Sequence, residues 1–169
     1  ISYLKKLLPE RPITLINLAY RKQGLIVERG NPKGISGLSD IVMKNLSFCN
    51  RQRGSGTRIL LDFQLKRLGI SPDKINGYDR EVYTHTAVAS AVATGVADTG
   101  LGIFAVAKAL GLDFVPVVEE RYDLAIPTEF LSLPKIQLVI KVIRSDRFKR
   151  RVLELGGYDT RDTGKIINA

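Results

Sequence analysis

Residues 46–68 read LSFCNRQRGSGTRILLDFQLKRL, and this stretch decides the fold. A short apolar segment, residues 46–49, predicts a strand, and the polar and glycine residues 50–56 predict a loop after it. Leucines then recur at the three-and-four spacing of one buried helix face: Leu60, Leu61, Leu65 and Leu68. A strand that enters a helix through such a loop directs unpaired backbone N–H groups at one point, and that point attracts anions.

The loop residues fit an anion site. Gly54 and Gly56 let the main chain approach a ligand closely. Ser55 and Thr57 offer a helix cap and hydroxyl donors. Arg51 and Arg58 add guanidinium groups that can bind oxygens in pairs. The alternative is that one hydroxyl only caps the helix and the arginines are solvated.

Composition limits the function classes. The chain has 169 residues, 44% of them apolar, which is enough for one domain or two small lobes. Its formal net charge of +9 predicts anionic partners, from small oxyanions to nucleic acid or acidic proteins. No run approaches the roughly 20 apolar residues of a membrane span. One cysteine, Cys49, excludes an internal disulfide and favours a reducing, cytoplasmic compartment.

The rest of the chain alternates strands with helices. We expect an amphipathic helix at residues 1–8 rather than a signal peptide, and two amphipathic helices at residues 134–144 and 145–155, followed by a tail from residue 158. Strands are expected as separate pieces at residues 13–20, 24–28, 97–103, 114–118 and 122–126. The alternation predicts an α/β fold with a mainly parallel sheet and flanking helices.

A second loop of the same kind precedes the small-residue helix predicted for residues 87–94. His85 and Thr86 stand at its start, so hydroxyl and imidazole donors are again placed before a helix. His85 is the only histidine, which excludes a metal site of several histidines. His85 is either a hydrogen-bond donor to an anion or a histidine with only a structural role, and the sequence gives the two roles equal weight.

Known catalytic motifs do not fit. Gly56 is not followed by the lysine of a phosphate-binding loop, and Ile59 stands where a dinucleotide-binding motif needs glycine. Asp98-Thr99-Gly100 occurs once and outside an all-β context, which does not suit an aspartic protease. Ser55 lacks the flanking glycines of a nucleophile elbow. No catalytic residue is predicted.

Two further candidates are less specific. Tyr122 and Tyr158 are candidates to line a cleft, although a tyrosine at the edge of a core is the commoner case. A basic cluster occurs on the last two helices and is either a phosphate-binding face or a solvated one: Arg144, Arg147, Lys149, Arg150 and Arg151.

Three stretches, residues 17–40, 48–65 and 85–127, carry a resemblance to a known family. They contain Asn50-Arg51-Gln52, the Gly54–Arg58 loop and the block at residues 119–127, in that order. Together they resemble the periplasmic-binding-protein-like domain found behind molybdopterin-biosynthesis (MoeA-type) domains or behind helix-turn-helix domains of molybdate-type regulators.

The resemblance implies a type II two-lobed clamp formed by a single domain, residues 1–169. Residues 21–126 would form mainly a complete second lobe and its crossover segments, and residues 1–20 and 127–169 the first lobe and hinge. The first lobe is expected to be truncated at the N-terminus, with the missing elements upstream or on a partner. The sequence is also compatible with a homodimer.

The first hypothesis is a non-catalytic module that binds or senses a small oxyanion, with molybdate or tungstate as candidates. Neither loop contains an acidic residue, and a donor-only site suits these fully ionised anions. The ligand-binding set is Arg51, Ser55, Gly56, Thr57, Arg58, His85, Thr86 and Tyr122. The alternatives are a basic interaction module for nucleic acid or an acidic protein, and an enzyme domain acting on a phosphorylated or pterin substrate.

Overall fold

The structure is a computed structural model that describes residues 11–168 of the chain. The helix expected at residues 1–8 lies outside the described residues. Two compact units divide the chain: a central unit, Lys22–Glu119, and a terminal unit formed by Ile1–Arg21 with Glu120–Ala169. Two long strands, β1 (Ile13–Val27) and β5 (Asp113–Pro127), each contribute residues to both units.

Between β1 and β5 the central unit contains short strands and helices in alternation. They are α1 (Ser39–Met43), β2 (Phe48–Arg51), α2 (Gly56–Leu68), a 3-10 turn (Pro72–Lys74), β3 (Glu81–Val82), α3 (His85–Ala93), β4 (Thr99–Ile103) and α4 (Phe104–Ala109).

The sheet of the central unit is mixed. Its strand order is β3-β2-β4-β1-β5. Strand β2 pairs in parallel with β3 and with β4, whereas β1 runs antiparallel to β4 with Gln23 opposite Ile103 and Val27 opposite Thr99. The carboxyl ends of β2, β3 and β4 therefore lie at one edge of the sheet, as in α/β folds that bind ligands there.

Helices cover both faces of this sheet. Successive side chains of β1 alternate between the faces, so Leu25 packs with Leu61 and Leu65 of α2, and Ile26 packs with Val88 of α3 on the opposite face. The central unit is thus a three-layer α/β/α arrangement with a separate apolar cluster on each side. Of the predicted α2 stripe, Leu61 and Leu65 are buried, whereas Leu68 is exposed.

The long strands were predicted as shorter pieces. Gly24 does not interrupt β1, because its missing side chain lets Val115 of β5 approach the backbone at a place that a Cβ atom would fill. Pro116 does not interrupt β5, since β5 ends the strand order of the central unit and an edge strand tolerates a missing N–H donor.

In the terminal unit, a 3-10 turn (Thr128–Phe130) is followed by helices α5 (Pro134–Arg144) and α6 (Asp146–Leu155). The bounds of both helices agree with the predicted bounds within one residue. The prediction of a tail was wrong. Strands β6 (Tyr158–Asp159) and β7 (Ile166–Asn168) pair antiparallel with β1. The sequence did not reveal them because they are too short to show a period of two.

The core of the terminal unit is small and contains Ile16, Ile126 and Ile140. Several apolar side chains of α5 and α6 remain exposed, among them Leu138, Val142 and Leu155. Within residues 11–168, no helix is long and apolar enough to cross a membrane.

Candidate functional site

The loop between β2 and α2 is a capped helix start. Ser55 is the N-cap in an extended conformation, and its hydroxyl oxygen accepts a hydrogen bond from the Arg58 N–H at 3.2 Å. Gly54 has φ +86°, a left-handed conformation that glycine adopts without strain. The first backbone N–H groups of α2 have no acceptor within the helix, so they point outward from its start. The predicted cap is confirmed.

The second loop contains a cap that the sequence interpretation missed. Helix α3 begins at His85, two residues before the predicted start, and its N-cap is Thr84, whose hydroxyl oxygen accepts from the Ala87 N–H at 3.0 Å. Thr86 lies inside the first turn and is exposed, while His85 is half-buried. A hydroxyl residue just ahead of an apolar helix was the available signal, and Thr84 and Thr86 both carried it.

The parallel pairing of β2 with β3 brings the two helix starts to the same edge. Arg51 lies opposite Val82 in the register, and the Gln52 N–H donates to the Val82 carbonyl at 3.1 Å. The Arg51 Nη2 donates to the Tyr83 carbonyl at 3.0 Å, directly before the cap of α3. Arg51 therefore joins the end of β2 to the start of α3, which makes it a positioning residue for both loops.

Arg58 is buried in a network of opposite charges. Its side chain is 4% exposed, with Nη1 at 2.8 Å from a Glu81 carboxylate oxygen and Nε at 3.1 Å from Asp62. The guanidinium also stacks on the Tyr78 ring at 4.1 Å. Burial alone would lower the pKa of Arg58, but Tyr78 and Asp62 outweigh it and raise the pKa. The positive charge predicted for ligand binding is therefore shared with two carboxylates.

Glu81 places an acid beside the first loop, although neither loop itself contains one. Because Asn50 and Glu81 are opposite each other in the β2–β3 register, the carboxylate reaches the first loop. There it accepts a hydrogen bond from the Arg53 N–H at 3.3 Å in addition to the ion pair with Arg58. Sequence reasoning missed this because the two segments are 28 residues apart, and only strand pairing joins them.

The remaining predicted residues are placed differently. Thr57 is buried at the start of α2, and Gly56 begins that helix with open space where a side chain would stand. Tyr122 belongs to the terminal unit, where the Arg21 guanidinium stacks over its ring at 4.2 Å. Burial raises the pKa of Tyr158 in the same unit. Tyr122 thus lies in a different unit from the two loops.

A depression in the central unit is lined by other residues than those of the two loops. It measures about 680 Å³ in the central unit and is lined by none of the predicted site residues, but by Val27, Arg29, Phe104, Lys108, Asp113 and Phe114, among others. Among residues 11–168 no cluster of three or more histidine, cysteine or acidic side chains could hold a metal ion. The chemistry concentrated at the carboxyl edge is hydrogen-bond donation by two helix starts.

The fold is the α/β fold of the type II periplasmic-binding-protein class. The family model for the PBP superfamily domain matches residues 1–144, and the chain belongs to this family. The resemblance inferred from the sequence is confirmed at this level.

Curated relatives extend the match in sequence. The uncharacterized protein YvgK of Bacillus subtilis is 39% identical over 165 residues, which is 98% of this chain and 53% of the relative. An uncharacterized Clostridium pasteurianum protein, encoded in the 5' region of a ferredoxin 2Fe-2S gene, is 43% identical over 114 residues, or 64% of this chain and 97% of that protein. The chain thus spans about half the length of the Bacillus relative.

Solved structures share the fold at low identity. A protein described as the substrate-binding domain of a molybdenum ABC transporter from Clostridium difficile aligns with a TM-score of 0.61 at 17% identity, covering 94% of this chain and 73% of that one. A phosphate ABC transporter substrate-binding protein from Clostridium perfringens, with bound phosphate, gives 0.64 at 16%, covering 87% and 71%. The arginine-, lysine- and histidine-binding protein ArtJ from Geobacillus stearothermophilus gives 0.58 at 16%, covering 90% and 66%. All three neighbours are described as substrate-binding or amino-acid-binding proteins.

Proposed function

We propose that this chain is a non-catalytic module that binds a small oxyanion reversibly at the carboxyl edge of the central sheet. One observation carries the proposal: the parallel neighbours β2 and β3 lead into two capped helices, and Arg51 bonds to Tyr83 between their starts. Each helix N-terminus presents roughly half a positive charge. Two such starts at one edge therefore attract a dianion.

The donors that would hold the anion are main-chain N–H groups and hydroxyls. Ser55 and Thr84 accept one hydrogen bond each as caps, and each hydroxyl still has a hydrogen to donate. Gly56 leaves the main chain of the first turn accessible, because apart from its chain neighbours and the backbone of its own helix no described atom lies within 4 Å of the place of its absent side chain. Arg58 would act through the loop rather than by direct contact.

The candidate ligands are molybdate, tungstate and phosphate. The N–H groups of the loops only donate, and the Ser55 and Thr84 hydroxyls, which already accept as caps, are left to donate, which suits fully ionised molybdate and tungstate. The structural neighbours support the same range, since one is described as part of a molybdenum transporter and another contains bound phosphate. Glu81 adds an acceptor close to the first loop, which brings protonated phosphate into the set.

In the cell, such a module would report the presence of its anion. We propose that ligand binding changes the conformation of the domain and that a fused or partner domain detects the change. A role in molybdenum cofactor biosynthesis or its regulation, in the cytoplasm, follows if the ligand is molybdate or tungstate. A helix-turn-helix or molybdopterin-biosynthesis domain would be the receiving partner.

Calorimetric titration of the full-length protein with molybdate, tungstate, sulfate and phosphate tests the proposal. Ser55→Ala and Thr84→Ala should each weaken the binding of the preferred anion, by about 1 kcal/mol or more, because each removes a hydroxyl from a helix start. Ser90→Ala is the control, since Ser90 is exposed in the middle of α3. Absence of heat with all four anions would remove the proposal.

A second candidate function rests on helix α6. Its exposed basic residues, Arg147, Arg150 and Arg151, could contact a nucleic acid or an acidic protein. Affinity for a DNA or RNA duplex that falls steeply with salt, and that is the same in Ser55→Ala, would favour this candidate over the first.

A further inference from the structure

Gln23 is a buried amide without a hydrogen-bond partner. Its side chain is on β1 at 0% exposure, and neither Nε2 nor Oε1 has a partner among the residues that the structure describes. Asn50, at 1% exposure on β2, provides a contrast: its Nδ2 donates to the Tyr78 carbonyl and its Oδ1 accepts from the Arg51 N–H. Buried amides are nearly always satisfied, so the two atoms of Gln23 need an explanation.

Gln23 lies at the level of the two loops that precede α2 and α3. It is opposite Ile103, the last residue of β4. Strand β4 pairs in parallel with β2, with Gly100 beside Cys49, and continuing this register places Ile103 beside Gln52. Gln52 directly precedes the first loop, and two strand spacings, about 10 Å, separate it from Gln23 across the sheet.

The Gln23 side chain also lies on the face of the sheet that α2 covers. Strand β1 pairs with β4 residue by residue from Gln23 to Val27, so Gln23, Leu25 and Val27 share one face. Leu25 and Val27 belong to the apolar cluster that contains Leu61 of α2. Because α2 starts at the carboxyl edge, residue Gln23 lies on the same face of the sheet and at the same level along the strands as that start.

We propose that the Gln23 carboxamide is a specificity-determining group of the oxyanion site, an inference that rests on the proposed function. Nε2 donates to an oxygen of the bound anion, and Oε1 accepts a hydrogen from it. A fully ionised anion leaves Oε1 unsatisfied, whereas an anion that carries a hydrogen satisfies both atoms. The site therefore prefers a hydrogen-bearing oxyanion, of which hydrogen phosphate is the simplest, to sulfate, molybdate and tungstate.

Phosphate and sulfate form the decisive pair of probes. Both are tetrahedral and similar in size, but near neutral pH only phosphate keeps a hydrogen. In calorimetric titration of the full-length protein, we expect phosphate to bind about tenfold more tightly than sulfate, corresponding to one additional satisfied hydrogen bond.

Gln23→Met removes both amide atoms while keeping the length of the side chain. We expect phosphate affinity to fall about tenfold or more and the preference over sulfate to disappear. The melting temperature without ligand should be unchanged or higher, because two unsatisfied polar atoms are removed. The control is Gln64→Met on α2, where the side chain is only half-buried, and it should leave both affinities as they are.

The outcomes separate this inference from the function on which it rests. If the wild-type protein binds one or more of the anions and Gln23→Met keeps the same ratio of phosphate to sulfate affinity, the inference is wrong. If the wild-type protein binds none of them, the proposed function fails as well. Should Gln23→Met not fold, Gln23→Leu replaces it: the preference for phosphate over sulfate should disappear, and a retained preference would overturn the inference.

Discussion

Arg58 has a side chain suited to bind an anion, but in this protein it stabilises the fold instead. Its guanidinium is almost fully enclosed by Asp62, Glu81 and the ring of Tyr78. A buried charge of this kind is tolerated because carboxylates surround it, and it fixes the loop side of α2 against β3. The sequence pattern alone does not distinguish this role from direct anion binding.

Replacing Arg58 with methionine should destabilise the protein by about 3 kcal/mol, because Glu81 and Asp62 would lose their buried partner. Denaturant unfolding measures the change in the free energy of unfolding. Arg53→Met serves as the control, since the side chain of Arg53 is 77% exposed and its ion pairs with Asp79 and Glu81 are long. An equal loss in the two variants would contradict the assigned role of Arg58.

Thr84→Ala removes the cap of α3. The Ala87 N–H loses its acceptor, so the free energy of unfolding should fall by about 1 kcal/mol. Thr86→Ala should cost less, because Thr86 is exposed within the first turn rather than at the cap. Thermal unfolding of both variants measures which substitution destabilises the protein more. A larger loss in Thr86→Ala than in Thr84→Ala would show that α3 begins later, as the sequence pattern had predicted.

Between elements, Asp98 ties the start of β4 to the segment before β2. The backbone N–H and the hydroxyl of Ser47 both donate to one Asp98 carboxylate oxygen, at 2.8 and 2.9 Å, and Lys33 lies 2.8 Å from the other. Burial alone would raise the pKa of Asp98, but the bonds from Lys33 and Ser47 outweigh it and lower the pKa below its ordinary value of 3.8.

This lowered pKa predicts a loss of stability in acid. The contribution of Asp98 is complete above the ordinary pKa of an aspartate and disappears as the pH falls through the lower pKa of the folded state. Asp98→Asn should therefore be less stable than the wild type at pH about 7, with a smaller difference at pH about 2.5. Unfolding free energies across this range measure it, and Asp79→Asn, whose side chain is 83% exposed, should follow the wild type.

The pairing of β2 with β4 depends on Gly100. A Cβ atom there would stand 2.5 Å from the Cys49 carbonyl oxygen and from Val88 of α3. Gly100→Ala should therefore lower the free energy of unfolding by about 2 kcal/mol through overpacking. Gly37→Ala is the matched control because a side chain at Gly37 meets nothing within 4 Å. Equal melting temperatures for the two variants would contradict the close approach of β2 and β4.

For the whole molecule, anion binding and stability are linked. A ligand that binds only the folded chain stabilises it, by about 2.7 kcal/mol at 100 times its dissociation constant. The melting temperature should therefore keep rising with phosphate concentration, and more steeply than with sulfate at equal ionic strength. With a formal charge of +9, non-specific ion binding raises stability too, so only the difference between the two salts is informative.

The sequence by itself determined the local features of this protein. The leucine spacing and Ser55 fixed α2 and its cap, and the alternation of strands and helices fixed the α/β class, because these signals depend on neighbours a few residues away. The resemblance across three stretches fixed the family.

Only the tertiary structure decided which distant residues meet. The pairing of β2 with β3 brought Glu81 and Tyr83 to the first loop, β6 and β7 joined β1, and Gln23 was placed at the level of the loops that precede α2 and α3. Strand register is set by packing across the whole sheet, and no local pattern encodes it when strands are two to five residues long.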